Sequence, residues 1–257
     1  PAVAWQSIVA AWGSQRITTG IGALDRLTGG VSAGEFIILP GRSSHGKTAF
    51  ALELLKRFAE RGVSADYLTL EETEDSITRR LIANDADISV RLLKDGTLSA
   101  PEFAKAESAI RAIQKLPLNV VSLEGVTTLD EDTVLSAVMQ SEAQIVFIDH
   151  LQKISTRDSV RAYGVERILN RLHAHALRRR RAVILLYQLN REIDQRKSPP
   201  ILSDLRDSGA SEITARQIWA VYWPQKYHPT RQANEYELYV LKQADGGTGM
   251  VPFTFDP

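Results

Sequence analysis

The stretch at 35–50, EFIILPGRSSHGKTAF, constrains this chain more than any other. An apolar run from Phe36 to Leu39 enters a loop of pattern G-x-x-x-x-G-K-T, and a helix-forming run (Ala49, Ala51, Leu52, Leu54, Leu55) leaves it. Gly41 and Gly46 permit a tight turn, so that backbone N–H groups at the helix start can cradle phosphate oxygens. In such a loop Lys47 reaches the outer phosphates of a nucleotide and the Thr48 hydroxyl holds Mg²⁺. Ser43, Ser44, His45 and Ala49 share the loop and join Gly41, Gly46, Lys47 and Thr48 as candidate nucleotide contacts. An ordinary Gly/Ser-rich turn is the plain alternative; the strand before the motif and the helix after it argue against it.

The remaining chain predicts the sheet that such a loop requires. Apolar runs at 65–70, 118–123, 144–149 and 182–187 read as strands. Between them, helical patterns cover 47–61, a segment opened by EETED and running through Leu81, 101–115, 129–140 and 164–180. Continuous apolar runs mark strands covered on both faces, and the alternation of strand and helix predicts a doubly wound parallel sheet. Past residue 215, QIWAVYWP, EYELYVLK and GMVPFTF read as antiparallel strands extending it. The expected fold is therefore α/β, a mainly parallel central sheet flanked by helices, with C-terminal antiparallel strands. Ahead of the loop lies a short amphipathic piece (Ile21, Leu24, Leu27), and before it Trp5, Ile8, Val9 and Trp12 fall on one helical face. We expect an amphipathic helix over 1–16 and one ATPase domain over 17–257.

Composition narrows the chemistry. A chain of 257 residues can bury the core of one such domain. It has no cysteine, which excludes disulfides and thiolate chemistry and fits a cytoplasmic setting. Net charge is zero, so contact with nucleic acid must come from a local patch. No apolar run reaches membrane-spanning length, and the first residues lack the basic start of a signal peptide.

Candidate chemistry sits at strand ends, where ligands of open α/β sheets bind. Asp149 ends the strand IVFID and can anchor the metal. Glu71 and Glu72 follow YLTL: either can orient and deprotonate water, or simply favour the next helix through its dipole. We take Glu71, nearer the strand, as the base. Gln188 ends AVILLY, where an amide can sense a terminal phosphate. The polar segment LNREIDQRKSPPILSDLRDSGASE reads as a long loop, with Arg191, Arg196, Lys197 and Arg206 suited to a nucleic-acid backbone. The run Arg178 to Arg181 reads first as cations at a helix C-terminus. The five histidines show no metal spacing.

With these residues in hand, the chain resembles the C-terminal motor domain of DnaB-type replicative helicases, a RecA-like family, from Thr18 to Phe255. The resemblance rests on TGIGALDRLTGG, GRSSHGKT, LTLEET, IVFIDHLQ, YQLNREIDQR, SDLRDSG and LKQADGGTG, in that order. It implies ATP and Mg²⁺ as ligands, with Lys47 on phosphate, Thr48 and Asp149 at the metal, Glu71 as catalytic base and Gln188 as sensor. It also implies that Arg206, Asp207 and Gly209, with Arg191 nearby, grip single-stranded DNA, and that Lys242 contributes to nucleotide binding. A hexameric ring with ATP sites between subunits, the N-terminal helix docked on the next protomer, primase or loader partners and five-prime to three-prime movement follow from the same resemblance.

Two of the chain's motifs depart from the family's, and the first bears on rate. The family's last motif typically ends Lys-Gln-Arg, its arginine reaching the neighbour's terminal phosphate, whereas this chain has Lys242-Gln243-Ala244. Lys242, or an arginine such as Arg231, is left to substitute. His45 stands where the family often has methionine. The alternatives to a motor are a weakly hydrolysing scaffold or loader related to the helicases, and another RecA-like ATPase.

Overall fold

The computed structural model describes residues 16–126, 129–155, 161–205 and 214–255. Eight strands form one sheet: β1 (Phe36–Gly41), β2 (Ala65–Thr69), β3 (Leu118–Ser122), β4 (Ile145–Asp149), β5 (Ala182–Gln188), β6 (Gln217–Tyr222), β7 (Glu235–Gln243) and β8 (Gly249–Thr254). Their order is β3-β2-β4-β5-β1-β6-β7-β8. The first six run parallel, and β7 and β8 continue the sheet antiparallel. The expected mainly parallel sheet flanked by helices is the one observed, with one correction: QIWAVYWP, read as antiparallel, supplies β6, which pairs parallel with β1 because the chain reaches it from β5 by crossing over β1 and not by a hairpin.

The continuous apolar runs are explained by cover on both faces. Along β1, Ile37 and Leu39 belong to one core layer while Phe36 and Ile38 belong to the other. The first layer packs under α2 (Lys47–Glu60) and α3 (Glu74–Ala86), through Phe50, Leu54, Phe58 and Ile77. The second packs under α6 (Glu131–Gln140) and α7 (Arg161–Arg179), through Val134, Val138, Ile168 and Leu172. With period-two alternation, the central strands β1, β4 and β5 feed both layers, so polar residues have no face to occupy until the strand ends.

The short N-terminal helix α1 (Gly22–Thr28) is pinned by Asp25, whose carboxylate accepts from the N–H and hydroxyl of Thr19. It ends on Gly29 and Gly30 with φ of 70° and 80°, and a Cβ on Gly30 would lie 2.4 Å from the Ile17 carbonyl oxygen. That turn feeds the chain into β1.

Several elements differ from the sequence reading. Helix α3 continues past Leu81 to Ala86, because Ala83 and Ala86 are buried. Between it and α5 (Ala100–Ile113), α4 (Val90–Asp95) buries no residue, so it left no periodic trace. The segment read as loop after β5 contains α8 (Glu192–Arg196) and a 3₁₀ turn at Leu202–Leu205. Residues 1–15 of the helix predicted over 1–16 lie outside the described residues. No described helix is long and apolar enough to cross a membrane.

Candidate active site

Because β2, β4, β5 and β1 are parallel neighbours, their carboxyl ends line up along one edge of the sheet. That edge collects the loop after β1, Glu71 after β2, Asp149 at the end of β4 and Gln188 at the end of β5. They face a cleft of about 330 Å³, lined among others by Ser43, Lys47, Thr48, Glu71, Asp149 and Gln188.

The phosphate loop is curled by left-handed backbone at Ser44 (φ 59°) and Gly46 (φ 78°), which draws its N–H groups into a concavity. The Phe50 N–H is satisfied by the Gly46 carbonyl (2.8 Å). Ahead of it, the N–H groups of Lys47, Thr48 and Ala49 open the helix α2, where an anion is favoured. Lys47 is buried, and that burial lowers the pKa of its ammonium despite Asp149 and Glu71, which raise it. A phosphate arriving there gives the cation the counter-charge that burial denies it.

Asp149 is the hub. Its Oδ2 accepts from the Thr48 hydroxyl (2.8 Å) and from the fully buried Tyr67 phenol (2.6 Å). Burial pushes its carboxyl up, but the His150 contact, Lys47, Tyr67 and Thr48 outweigh it and hold it below the usual value, so it is ionised. Among the described residues no three His, Cys, Asp or Glu side chains cluster to hold a metal by themselves. The donor set instead suits Mg²⁺, which is ordinarily held by one or two protein oxygens together with phosphates and water. The Thr48 hydroxyl and Asp149 carboxylate are the residues that would hold it, supplying a counter-charge for the phosphates.

Glu71 and Glu72 separate clearly. Glu72 accepts from Ser76 Oγ (2.7 Å) and Arg80 (2.9 Å), tying β2 to α3. Glu71 lines the cleft, its side chain 48 % exposed, paired with Lys153 (2.9 Å) and close to His150 Nδ1 (3.5 Å). Gln188 donates to Ser43 Oγ (2.8 Å), and its backbone is gripped on both sides by the Gln152 amide (3.0 Å each). Tyr67, Gln152 and Lys153 were missed in the sequence; Gln152 closes IVFIDHLQ and Lys153 directly follows it. The side chain of His45 leaves the cleft: it is 4 % exposed, packs on Tyr222 and Tyr227, and its Nδ1 accepts from Trp223 N–H (3.3 Å). Its own N–H is bonded to the Arg42 carbonyl (3.2 Å), so His45 shapes the loop from behind.

The family model for the DnaB-like helicase C-terminal domain matches residues 16–257. The chain belongs to this family. It is 31 % identical over 244 residues to the replicative DNA helicase DnaB of Treponema pallidum, covering 93 % of this chain and 54 % of that protein. The ATPase domain of G40P superposes with a TM-score of 0.88 at 27 % identity, covering 99 % of this chain and 94 % of that one. A DnaB-like replicative helicase, described with its interactions with primase, superposes at 0.87 and 27 % identity, covering 99 % of this chain and 63 % of that one. The chain thus spans about half the length of the curated relatives it matches, and its fold is that of the RecA-like helicase ATPase domains.

Of the remaining residues singled out in the sequence, the structure brings few to this cleft. Lys242 lies near the end of β7, which runs antiparallel, so it sits at the end of the sheet away from its own phosphate loop. Contact with nucleotide there requires a second copy. Ala244 follows at the same end, its N–H bonded to the Arg216 carbonyl (3.2 Å), and the Arg216 guanidinium pairs with Asp245 and Glu35. Arg231 lies at the opposite end of β7, held by Glu235 (3.0 Å) and Glu237 (2.9 Å). It is therefore remote from the place that Ala244 leaves without a cation. Arg191 is exposed at the start of α8. Arg206, Asp207 and Gly209 fall outside the described residues. The basic run at the end of α7 is also remote from the cleft, and Arg181 is paired with Glu142 (2.7 Å).

Proposed function

We propose that this chain is an ATP-hydrolysing DNA motor of the replicative helicase type. The observation that carries the reading is the convergence of Lys47, Thr48, Asp149, Glu71 and Gln188 on one cleft. Each has a role that the others leave vacant. The loop N–H groups and Lys47 bind and orient the phosphates; Thr48 and Asp149 hold Mg²⁺; Glu71 takes the proton of the attacking water. Gln188, bonded to Ser43 and fixed through Gln152, is placed to register the terminal phosphate.

The strand it moves on is single-stranded DNA, held by Arg206, Asp207 and Gly209 with Arg191 at the base of the same connection. Movement is five-prime to three-prime on a ring of six in the cytoplasm, with primase or a loader as partner. In such a ring Lys242 and the cation beside Ala244 serve the next subunit's nucleotide. We assign that cation to Arg216, since Arg231 is at the wrong end of β7. A cation there stabilises charge that develops on the transferred phosphate.

Hydrolysis of ATP in Mg²⁺ tests the reading. Lys47→Ala and Glu71→Ala should each reduce turnover by about a hundredfold or more; turnover unchanged in both would sink it. Ala244 favours a second reading, a scaffold or loader that binds ATP and hydrolyses it poorly. The complete set around the cleft favours the first.

A further inference from the structure

Arg42 lies inside the phosphate loop yet spends its side chain elsewhere. Its guanidinium is 13 % exposed and grips the Asp194 carboxylate with two nitrogens (Nε 3.0 Å, Nη2 2.5 Å), while Nη1 donates to the Leu189 carbonyl (2.9 Å). The Tyr227 hydroxyl donates to the same carboxylate (2.5 Å), and His45 of the phosphate loop packs against the Tyr227 ring at 5.4 Å between centroids. Asp194 belongs to α8, whose last residue, Arg196, makes a second two-pronged pair with Asp204 (2.8 and 2.6 Å). Asp204 is 2 % exposed, accepts from Ile201 N–H (2.8 Å) and sits in the turn that ends at Leu205.

Two bidentate ion pairs thus run in series from the phosphate loop to Asp204, two residues before Arg206. A helix of five residues has no stability of its own. The place of α8 is set by its tethers, Arg42 at one side, Asp204 at the other, and Ile193 buried beneath it. Paired planar groups hold direction as well as distance, so a shift of the phosphate loop is passed on and not absorbed. The bond from Ser43 to Gln188 starts from the next residue of the loop and enters the same connection.

We infer that Asp194 is a positioning residue that, with Arg42 and Arg196, carries the state of the phosphate loop to the stem of the strand-holding loop. Nucleotide and DNA then bind with coupled affinities, each changing the other's by the same factor. This rests on the strand-binding reading above. A purely structural Asp194 would affect stability, or the affinity for nucleotide alone, and leave that factor untouched.

The test measures the Kd of a fluorescent single-stranded DNA oligonucleotide, with and without a slowly hydrolysed ATP analogue and Mg²⁺. In the unmodified chain the analogue should shift strand Kd by about fivefold or more. In Asp194→Asn the shift should fall to about twofold or less, with strand Kd in the absence of nucleotide nearly unchanged, and Asp194→Glu should restore it. Tyr227→Phe, which removes one bond to the same carboxylate, should fall between. A full shift retained in Asp194→Asn overturns the inference while leaving the motor reading in place. A shift absent from the unmodified chain overturns that reading and the inference with it.

Discussion

At the end of β2, Glu72 is bonded to Ser76 and Arg80 while its neighbour Glu71 faces the cleft beside Lys153 and His150. Position alone suggested Glu71 as the base. Both carboxylates line the cleft; Glu72 is tied to α3 through Ser76 and Arg80, and Glu71 to Lys153, so their roles are a prediction. Glu71→Gln should therefore reduce turnover by about a hundredfold or more with nucleotide affinity kept, whereas Glu72→Gln should leave turnover within about threefold. Steady-state hydrolysis and nucleotide titration on both variants decide this. His45 illustrates what sequence could not show. A loop position suggested a nucleotide contact, but burial lowers its pKa to about 4, with Asp194 opposing and Arg42 and Lys226 adding to the shift. The unfolded chain takes up the proton near the ordinary value of 6.5 while the folded chain refuses it. Stability from neutral His45 is therefore complete above that value and falls as the pH drops from 6.5 towards 4. At pH 5 the loss is roughly 2 kcal/mol. Urea midpoints at pH 7 and 5 should show that loss in the unmodified chain and much less of it in His45→Met.

Elements divide by whether their pattern is written in burial. The central strands were legible because cover on both faces makes each one a continuous apolar run, and α2, α6 and α7 because each buries one stripe. Helix α4 buries nothing, and α8 buries Ile193 alone. Both escaped a reading based on periodicity, and α8 owes its place to ion pairs between residues far apart in sequence, which no local pattern reveals. Where helices begin, the chemistry is local again. Thr73 caps α3 by accepting from Ser76 N–H, and the acidic Glu74 and Asp75 follow in the first turn. Thr73→Ala should cost about 1 kcal/mol in chemical denaturation, and Thr73→Asp close to nothing.

The whole molecule is one sheet with two distinct ends. The carboxyl end of the parallel strands carries the cleft; the far end carries Lys242, Ala244 and Arg216. The sequence revealed most of the first end, since Glu71, Asp149 and Gln188 stand in or just after an apolar strand and Lys47 and Thr48 in the loop motif. It revealed the second only through Lys242 and a missing arginine, because Arg216 and Ala244 are neighbours through strand pairing alone. If Arg216 supplies the cation across subunits, Arg216→Ala should lower turnover by about tenfold or more and Arg231→Ala should leave it within about twofold. Ala244→Arg should raise it. The most direct measurement is steady-state ATP hydrolysis with and without single-stranded DNA, on the unmodified chain and on Glu71→Gln. A motor built on this cleft gives turnover that rises with DNA and vanishes in Glu71→Gln. Turnover indifferent to DNA, or surviving that substitution, would contradict the account.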